Sequence, residues 1–339
     1  LMTQRAPDVS FVIAAYNAAD TIQRAIDSAL AQKGVDVEVI VVDDCSKDET
    51  CAVVEELADP RVRLLRLAEN RGPGGARNAG LEAARGDWIA ILDADDTVSP
   101  QRLSRMIGLA SSTEASIVVD NIDVLNLDGR LERMFPEAEL ERRRTLTLAA
   151  FIGSNVLFRS TFNFGYMKPI FERRFLNEHR LRFEETIRIG EDYILLASAL
   201  AHGGRCVVDP SAGYCYHIRE SSISRVLELR HIEAMMTADR EFLARHALDA
   251  EALAMQRRRG KSLIEAHAFL RLVEHLKSRS LAGATRVALT NPRALRHLRM
   301  PIAVRLRRLL APIARMKPAT STVAAERPTS GESPHVSKG

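Results

Sequence analysis

The sequence predicts an α/β protein: a mostly parallel sheet with helices on its faces, continued by a helical C-terminal extension. Three observations predict it. Over residues 9–110, short apolar runs alternate four times with helix-like stretches, the pattern of a parallel sheet covered by helices. The runs are apolar along their length, as strands buried on both faces are. From residue 226 to about residue 289, helical composition dominates. With 339 residues the chain can hold one large domain and an extension, and 46% hydrophobic with 27% charged residues is ordinary for a globular protein.

Residues 9–14 read as the first strand, ending in Ala15-Tyr16-Asn17, with Asp20 placed to cap a helix whose Ile22, Ile26, Ala29 and Leu30 share one face. The second strand, residues 37–42, ends in Asp43-Asp44; a helix over 46–58 and a third strand over 62–67 follow. The glycine-rich turn 70–78 permits close approach of a ligand, and the helix it opens, running to residue 84, offers its N-terminus to anions. A fourth strand, 88–92, emerges into Asp93-Ala94-Asp95-Asp96. Further on, the Ile- and Val-rich stretch 116–127 meets the hairpin signal Asp128-Gly129. Residues 137–144 are charged and read as exposed, and 151–183 are aromatic and basic. Glu191-Asp192 opens an apolar helix through residue 201, followed by two strand-like stretches, 205–209 and 214–217.

Ligands of open α/β sheets collect beyond the carboxyl ends of the strands, where Tyr16, Asn17, Asp43, Asp44 and the aspartate cluster stand. Three carboxylates within four residues repel each other unless a cation sits among them. Mg2+ or Mn2+ carrying a phosphorylated ligand supplies that charge. Tyr16 can stack on a base, and Asp43 or Asp44 can accept from its N–H. Plainer readings stand beside these. Asp95 or Asp96 can cap the next helix, Glu191 and Asp192 can complement a helix dipole, and Phe162, Phe164 and Tyr166 can simply pack. The glycine turn lacks the Gly-Lys-Ser/Thr of a P-loop.

Four ordered motifs raise the specificity: the first strand with Tyr16-Asn17, then Val42-Asp43-Asp44-Cys45-Ser46-Lys47-Asp48, then Gly74-Gly75-Ala76-Arg77-Asn78-Ala79-Gly80, then Asp93-Ala94-Asp95. Over about residues 9–224 the chain resembles the inverting family-2 glycosyltransferases of the GT-A fold, departing at Ala14-Ala15, where proline and a small hydroxyl residue are usual. The resemblance implies a GT-A domain over 1–225, with a nucleotide half (8–115) and an acceptor half (116–225). A helical extension over 226–317 and a disordered tail over 318–339 complete the chain. It implies a UDP-sugar donor: uracil read by Asp44 or Asp43, ribose touched by Asp93, and the diphosphate held through Mg2+ or Mn2+ on Asp95. Ala15, Tyr16, Asn17, Gly74 and Arg77 would lie along the nucleotide. Asp192 matches the general base, with Glu191 next in line. In Tyr214-Cys215-Tyr216-His217-Ile218-Arg219, followed by a Ser-x-Ser, His217 is implied as a metal ligand and Arg219 as a phosphate partner. Lys168 and the nearby aromatics fall on the acceptor side. Residues 183–192 and Lys168-Pro169-Ile170-Phe171 most resemble the bacterial exopolysaccharide subset, such as succinoglycan glucosyltransferases, whose acceptors are glycans or lipid-linked saccharides.

Two rivals share parts of this pattern. Asp93-Ala94-Asp95-Asp96-Thr97 fits the Asp-x-Asp-x-Thr nucleophile motif of haloacid-dehalogenase-type phosphatases, but that motif follows the first strand of its fold and here follows the fourth. A non-catalytic sugar-nucleotide-binding subunit would keep the strand-end residues without needing Asp192.

The net charge of +4 is unevenly spread: residues 293–339 hold ten Lys/Arg against two Glu, so the rest is acidic on balance. This argues against a nucleic-acid enzyme and for a surface-binding tail. Within it, Ile302, Leu306, Leu309 and Leu310 share a helical face among arginines, which suits the anionic inner face of a plasma membrane. No signal peptide opens the chain, no apolar run approaches the ~18–20 residues of a spanning helix, and the four cysteines match neither a zinc site nor a secreted disulfide framework. The expected setting is cytoplasmic, peripheral at the membrane.

Overall fold

The structure is a computed structural model that describes residues 6–219 and 227–298. The Ser-x-Ser at 222–224, the amphipathic segment 302–310 and the tail 318–339 lie outside the described residues.

Strands β1 (Val9–Ala15), β2 (Val37–Asp43), β3 (Val62–Arg66) and β4 (Trp88–Ile91) are parallel, in the spatial order β3-β2-β1-β4. Helices α1 (Ile22–Leu30), α2 (Thr50–Glu56) and α3 (Gly72–Ala83) make the crossovers. The in-register pairing of β1 with β2, from Val9↔Val37 to Ala15↔Asp43, sets Ala15 beside Asp43 at the carboxyl edge. A Cβ on Gly80 would lie 2.3 Å from Val12 Cγ1, so this glycine lets α3 press onto β1 and fixes the height of Arg77 over the sheet. Asp20 caps nothing: Thr21 occupies the N-cap position of α1 and makes no side-chain cap bond, while Ala18 and Ala19 are drawn into the loop contacts described below.

After β4 the sheet becomes mixed. It continues through β5 (Thr97–Val98), β6 (Ile117–Leu125), the hairpin strand β7 (Leu131–Arg133), β8 (Ile170–Glu172) and β9 (Cys206–His217), in the full order β3-β2-β1-β4-β8-β6-β9-β5 with β7 on β6. β8 runs antiparallel to both β4 and β6, whereas β9 runs parallel to β6. The two strand-like stretches within 205–217 are one strand whose register shifts opposite Asp120–Ile122, and Asn121 Nδ2 donates to the carbonyl of Pro210 at 3.1 Å across the irregularity. Residues 137–142 form a short helix that buries Leu140, so that stretch is only partly exposed. The remaining helices of this half are α4 (Arg102–Thr113), α5 (Glu137–Arg142), α6 (Leu148–Ser154), α7 (Arg173–Glu178) and α8 (Glu191–Ala201).

The extension comprises α9 (Leu229–Arg245), α10 (Ala250–Lys277), α11 (Leu281–Thr290) and a 3-10 turn over Pro292–Leu298. Ala238, Phe242 and Ala252 join the main hydrophobic core, which ties α9 and the start of α10 to the sheet domain.

Candidate active site

At the carboxyl edge, the Asp-Asp-x-Ser-x-Asp segment folds back on the loop after β1. Asn17, at φ +49°, accepts the Lys47 N–H at 2.7 Å through its side-chain oxygen and donates its own N–H to Ser46 Oγ at 2.9 Å. Ala19 N–H donates to Asp48 at 3.0 Å, and Ala18 N–H to Thr50 Oγ1 at 2.8 Å. These bonds hold Tyr16 half exposed at the mouth, beside the buried Ala15. Asp44 is buried, and its two carboxylate oxygens accept the N–H groups of Arg71 (2.7 Å) and Gly72 (2.9 Å). Burial raises its carboxyl pKa by more than those N–H groups lower it. Each oxygen keeps a further lone pair. Asp43 faces the other way: one oxygen accepts Ser46 N–H, the other takes no N–H or O–H donor, and the Cys51 thiol of α2, raised by burial and by this carboxylate, leans against it. Gly74 and Gly75 are required by protein packing. A Cβ on Gly74 would lie 2.7 Å from the Glu184 carbonyl oxygen, and one on Gly75 would strike Arg71.

The centre is a ring of charge. Arg77, 6% exposed, donates from Nη2 to Asp93 at 2.7 Å and from Nη1 to Asp192 at 2.9 Å and Glu191 at 2.5 Å. Lys168 Nζ closes the ring, 2.8 Å from Asp93 and 2.7 Å from Asp192. Burial alone would lower the pKa of Arg77 and Lys168, but Asp192 and Asp93 (with Glu191 for Arg77) outweigh it and hold both cations above their usual ranges. Burial would raise Asp93, yet Lys168 and Arg77 hold it well below the usual carboxylate range. Glu191, buried and beside Asp192, is raised. The Phe183 ring covers the Arg77 guanidinium at 5.4 Å. Lys168, expected only to shape the acceptor side, is thus bonded to two of the site's carboxylates.

Asp96 does not cap α4. It is fully buried and accepts Tyr214 O–H at 2.7 Å and His217 N–H at 2.8 Å, and burial next to Asp93 and Asp95 pushes its carboxyl up. The His217 ring meets Thr97 Oγ1 at 3.0 Å through Nε2. Asp95 forms no ion pair among the described residues, and burial together with Asp93 raises its pKa. Arg219 faces it electrostatically and also donates to Thr21 Oγ1 at 3.5 Å. Among the described residues, no three His, Cys, Asp or Glu side chains form a ready metal cluster. Carboxylates nevertheless outnumber cations: Asp93, Asp95, Asp96, Glu191 and Asp192 stand against Arg77, Lys168 and Arg219, and a divalent cation on Asp95 fits that surplus.

Two buried supports carry this centre from behind. Arg102 grips Asp120 through two bonds of 2.9 Å, both residues wholly buried, and donates to the carbonyl of Lys168 at 2.5 Å. Arg259 of α10 lies 3.7 Å above the ring of Tyr193, the residue after Asp192. It donates to Asp239 of α9 at 2.9 Å and to the Asn155 carbonyl at 2.9 Å, while Tyr193 stacks on Phe151 at 5.2 Å and donates to Gln256 at 3.3 Å. Phe162 and Phe164 pack on Phe135, away from any ligand role, and Tyr166 is half exposed.

Residues 10–175 match Glycosyl transferase family 2. The chain is 65% identical over 341 residues to the succinoglycan biosynthesis protein ExoO of Rhizobium meliloti (strain 1021), covering 99% of this chain and 98% of that protein. The chain belongs to glycosyltransferase family 2. A further member is a UDP-Glc:alpha-D-GlcNAc-diphosphoundecaprenol beta-1,3-glucosyltransferase, WfgD of Escherichia coli, 28% identical over 64% of this chain and 79% of its own length. Two solved structures share the GT-A fold. S. aureus TarS 1–349 in complex with UDP-GlcNAc has a TM-score of 0.60 at 19% identity over 83% of this chain and 90% of its own. The mannosyltransferase PcManGT of Pyrobaculum calidifontis, solved with GDP-Man and Mn2+, has 0.58 at 18% over 86% and 81%. As a family-2 glycosyltransferase the protein is an enzyme, which removes the phosphatase reading. Asp93, the nucleophile that reading needs, already has an oxygen on each of two cations.

Proposed function

We propose that this family-2 glycosyltransferase moves a hexose, in the first instance glucose, from a UDP-sugar to a saccharide or lipid-linked saccharide in succinoglycan-type exopolysaccharide assembly, with inversion. The observation that carries the reading is the ring in which Asp93 of the nucleotide half and Asp192 of the acceptor half bind the same Arg77 and Lys168. In this reading the strand-end Asp93 meets the donor and Asp192 meets the acceptor, and the shared cations hold the two carboxylates together. WfgD, a glucosyltransferase that uses UDP-Glc and a diphosphoundecaprenol-linked acceptor, supports the donor and acceptor classes.

In this reading Asp44, oriented by the Arg71 and Gly72 N–H groups, accepts the uracil N3–H, and Tyr16 stacks on the ring. Asp43, turned toward α2, shapes the loop instead. Asp192 takes the proton of the attacking acceptor hydroxyl. Arg77 and Lys168 fix its carboxylate plane, so that the remaining lone pairs face the acceptor. Glu191, buried on Arg77, positions that guanidinium and is not the base. Mg2+ or Mn2+ held by Asp95 would stabilise the departing diphosphate as a Lewis acid. We retain Asp95 as its protein ligand and leave His217 Nε2 on Thr97; Arg219 neutralises phosphate charge. Among the described residues no helix is long and apolar enough to cross a membrane. The basic residues 293–317 suit the cytoplasmic face of a plasma membrane, where lipid-linked acceptors are displayed.

The test is a panel of UDP-, GDP- and dTDP-sugars assayed for Mn2+-dependent hydrolysis and for transfer, with the product anomer determined. UDP-glucose turnover with inversion is the expected result; preference for a GDP-sugar, or retention, defeats the reading.

A further inference from the structure

The extension carries a second charged site, far from the aspartate ring. After α10, Arg279 takes φ +56° and α11 folds back along the end of the helix. The two helices meet so closely at Gly283 that a Cβ there would lie 2.5 Å from His275 Nδ1. Beside this contact opens a cleft of about 430 Å³, lined by Ile264, His267, Arg271, His275, Arg286 and Val287 among others. None of its lining residues is acidic. His267 is bonded to Glu233 at 3.0 Å, but among the described residues neither Arg271 nor Arg286 has its guanidinium in an ion pair or hydrogen bond. Arg271 of α10 and Arg286 of α11, both exposed, line this one cleft from its two helices, and their fork geometry matches phosphate. Ile264 in the lining is 51% exposed, and α11 exposes two further leucines, Leu281 at 76% and Leu289 at 78%.

We propose that this cleft binds the diphosphate of a polyprenyl-linked acceptor at the membrane surface, with Arg271 and Arg286 as its ligands and Ile264, Leu281 and Leu289 against hydrocarbon. The proposal rests on the acceptor class put forward above and gives that acceptor a place. A lipid-borne phosphate fits better than a soluble one because the cations stand among exposed aliphatic side chains. It also fits better than the chain's own amphipathic segment, since residues 302–310 carry Arg305, Arg307 and Arg308 and would be repelled by the cleft. From Arg259, against the residue after Asp192, to Arg271 is about 18 Å along α10. In this proposal a span of that order separates the lipid phosphate from the sugar that is extended.

The test uses the full chain in co-sedimentation with phosphatidylcholine vesicles that contain polyprenyl-diphosphate saccharide, phosphatidylglycerol or neither. Wild type should bind the polyprenyl diphosphate vesicles best, with inorganic pyrophosphate competing. Arg271→Glu/Arg286→Glu should bind them about tenfold or more weakly while hydrolysing UDP-sugar at the wild-type rate. Unchanged binding by the double variant overturns the proposal. Equal binding to phosphatidylglycerol assigns the cleft to bulk anionic lipid and overturns it as an acceptor site. Binding of pyrophosphate only when free in solution does the same. Because sedimentation needs no turnover, these outcomes stay separate from the donor panel, whose failure would instead remove the reading of the reaction.

Discussion

Asp93 and Asp192 share both of their cations: each places one oxygen on Arg77 and the other on Lys168, within 2.7–2.9 Å. Neither carboxylate can move without the other's partners moving. Lys168→Met keeps most of the stem and deletes one cation from under two carboxylates. Breaking a buried ion pair from one side costs about 3–5 kcal/mol. Urea unfolding should show a loss toward the lower end of that range, because Asp93 and Asp192 are each about a quarter exposed, and transfer should fall with it. A Lys168→Met enzyme with wild-type stability and transfer would remove the ring as the organising feature.

Asp192→Asn should leave UDP binding within a few-fold of wild type and lower transfer by about 10²–10⁴, the usual worth of a positioned base. Single-turnover transfer and UDP titration separate the two effects. Glu191→Gln should show the reverse balance, a stability loss larger than the catalytic one. If Glu191→Gln loses more transfer than Asp192→Asn, the base has been misassigned.

Asp95→Asn should weaken UDP binding in Mn2+ or Mg2+ and change nothing in EDTA, because only the metal-bridged part of the affinity passes through that carboxylate. Calorimetric titration with and without chelator reads this directly. Equal losses in both conditions would mean that Asp95 meets the nucleotide itself.

Glu38 offers a pH test away from the site. It is buried at β2 and accepts Ser10 O–H at 2.7 Å and the Arg85 backbone and guanidinium at 2.8 Å each. Burial would raise its pKa, but these bonds outweigh it and hold the carboxyl below the usual range. A depressed carboxyl stabilises the fold fully above its unfolded value and loses that contribution as pH falls through the folded value. Glu38→Gln should therefore cost about 1–3 kcal/mol at neutral pH, with the gap from wild type closing only below about pH 4. A gap that is constant from pH 7 to pH 3 would contradict the assignment.

Much of the fold could be read from the chain because its signals are local. The apolar runs of β1, β2 and β4 and the carboxylates after them are contiguous, and each falls at the sheet edge where ligand chemistry is expected. Lys168, by contrast, carries no local mark of its role. It reaches Asp93 only because β8 inserts between β4 and β6, an order set by tertiary pairing. The same holds for Arg102 and Asp120, whose pairing has no local mark and forms only when the helix and strand that bear them are packed together. Asp96 read as a helix cap because the sequence showed the helix ahead of it but not Tyr214, which arrives from the far end of the domain. Gly74 and Gly75 were legible as sites of close approach; what approaches is the backbone at residues 184–185 and the Arg71 side chain.

Arg259 gives the extension a measurable part in the chemistry. Arg259→Met would leave Asp239 buried without its cation, and Tyr193 without the guanidinium above it. We expect kcat for transfer to drop while KM for the UDP-sugar stays put, with Arg259→Lys recovering part of the loss. Loss confined to thermal stability would make the residue a structural support alone.

α10 runs without interruption for 28 residues, about 42 Å, passing behind Tyr193 at Gln256 and Arg259 and ending at the turn before α11. Its length is set by backbone rise rather than by a loop, so the spacing between its two ends cannot drift as side chains change. A change of one helical turn would shift that spacing by about 5.4 Å. With the cleft at its far end holding the acceptor's diphosphate as proposed, the helix would act as a gauge, and relatives that add or drop a turn within it should differ in the length of saccharide they extend even where every residue around Asp192 is the same.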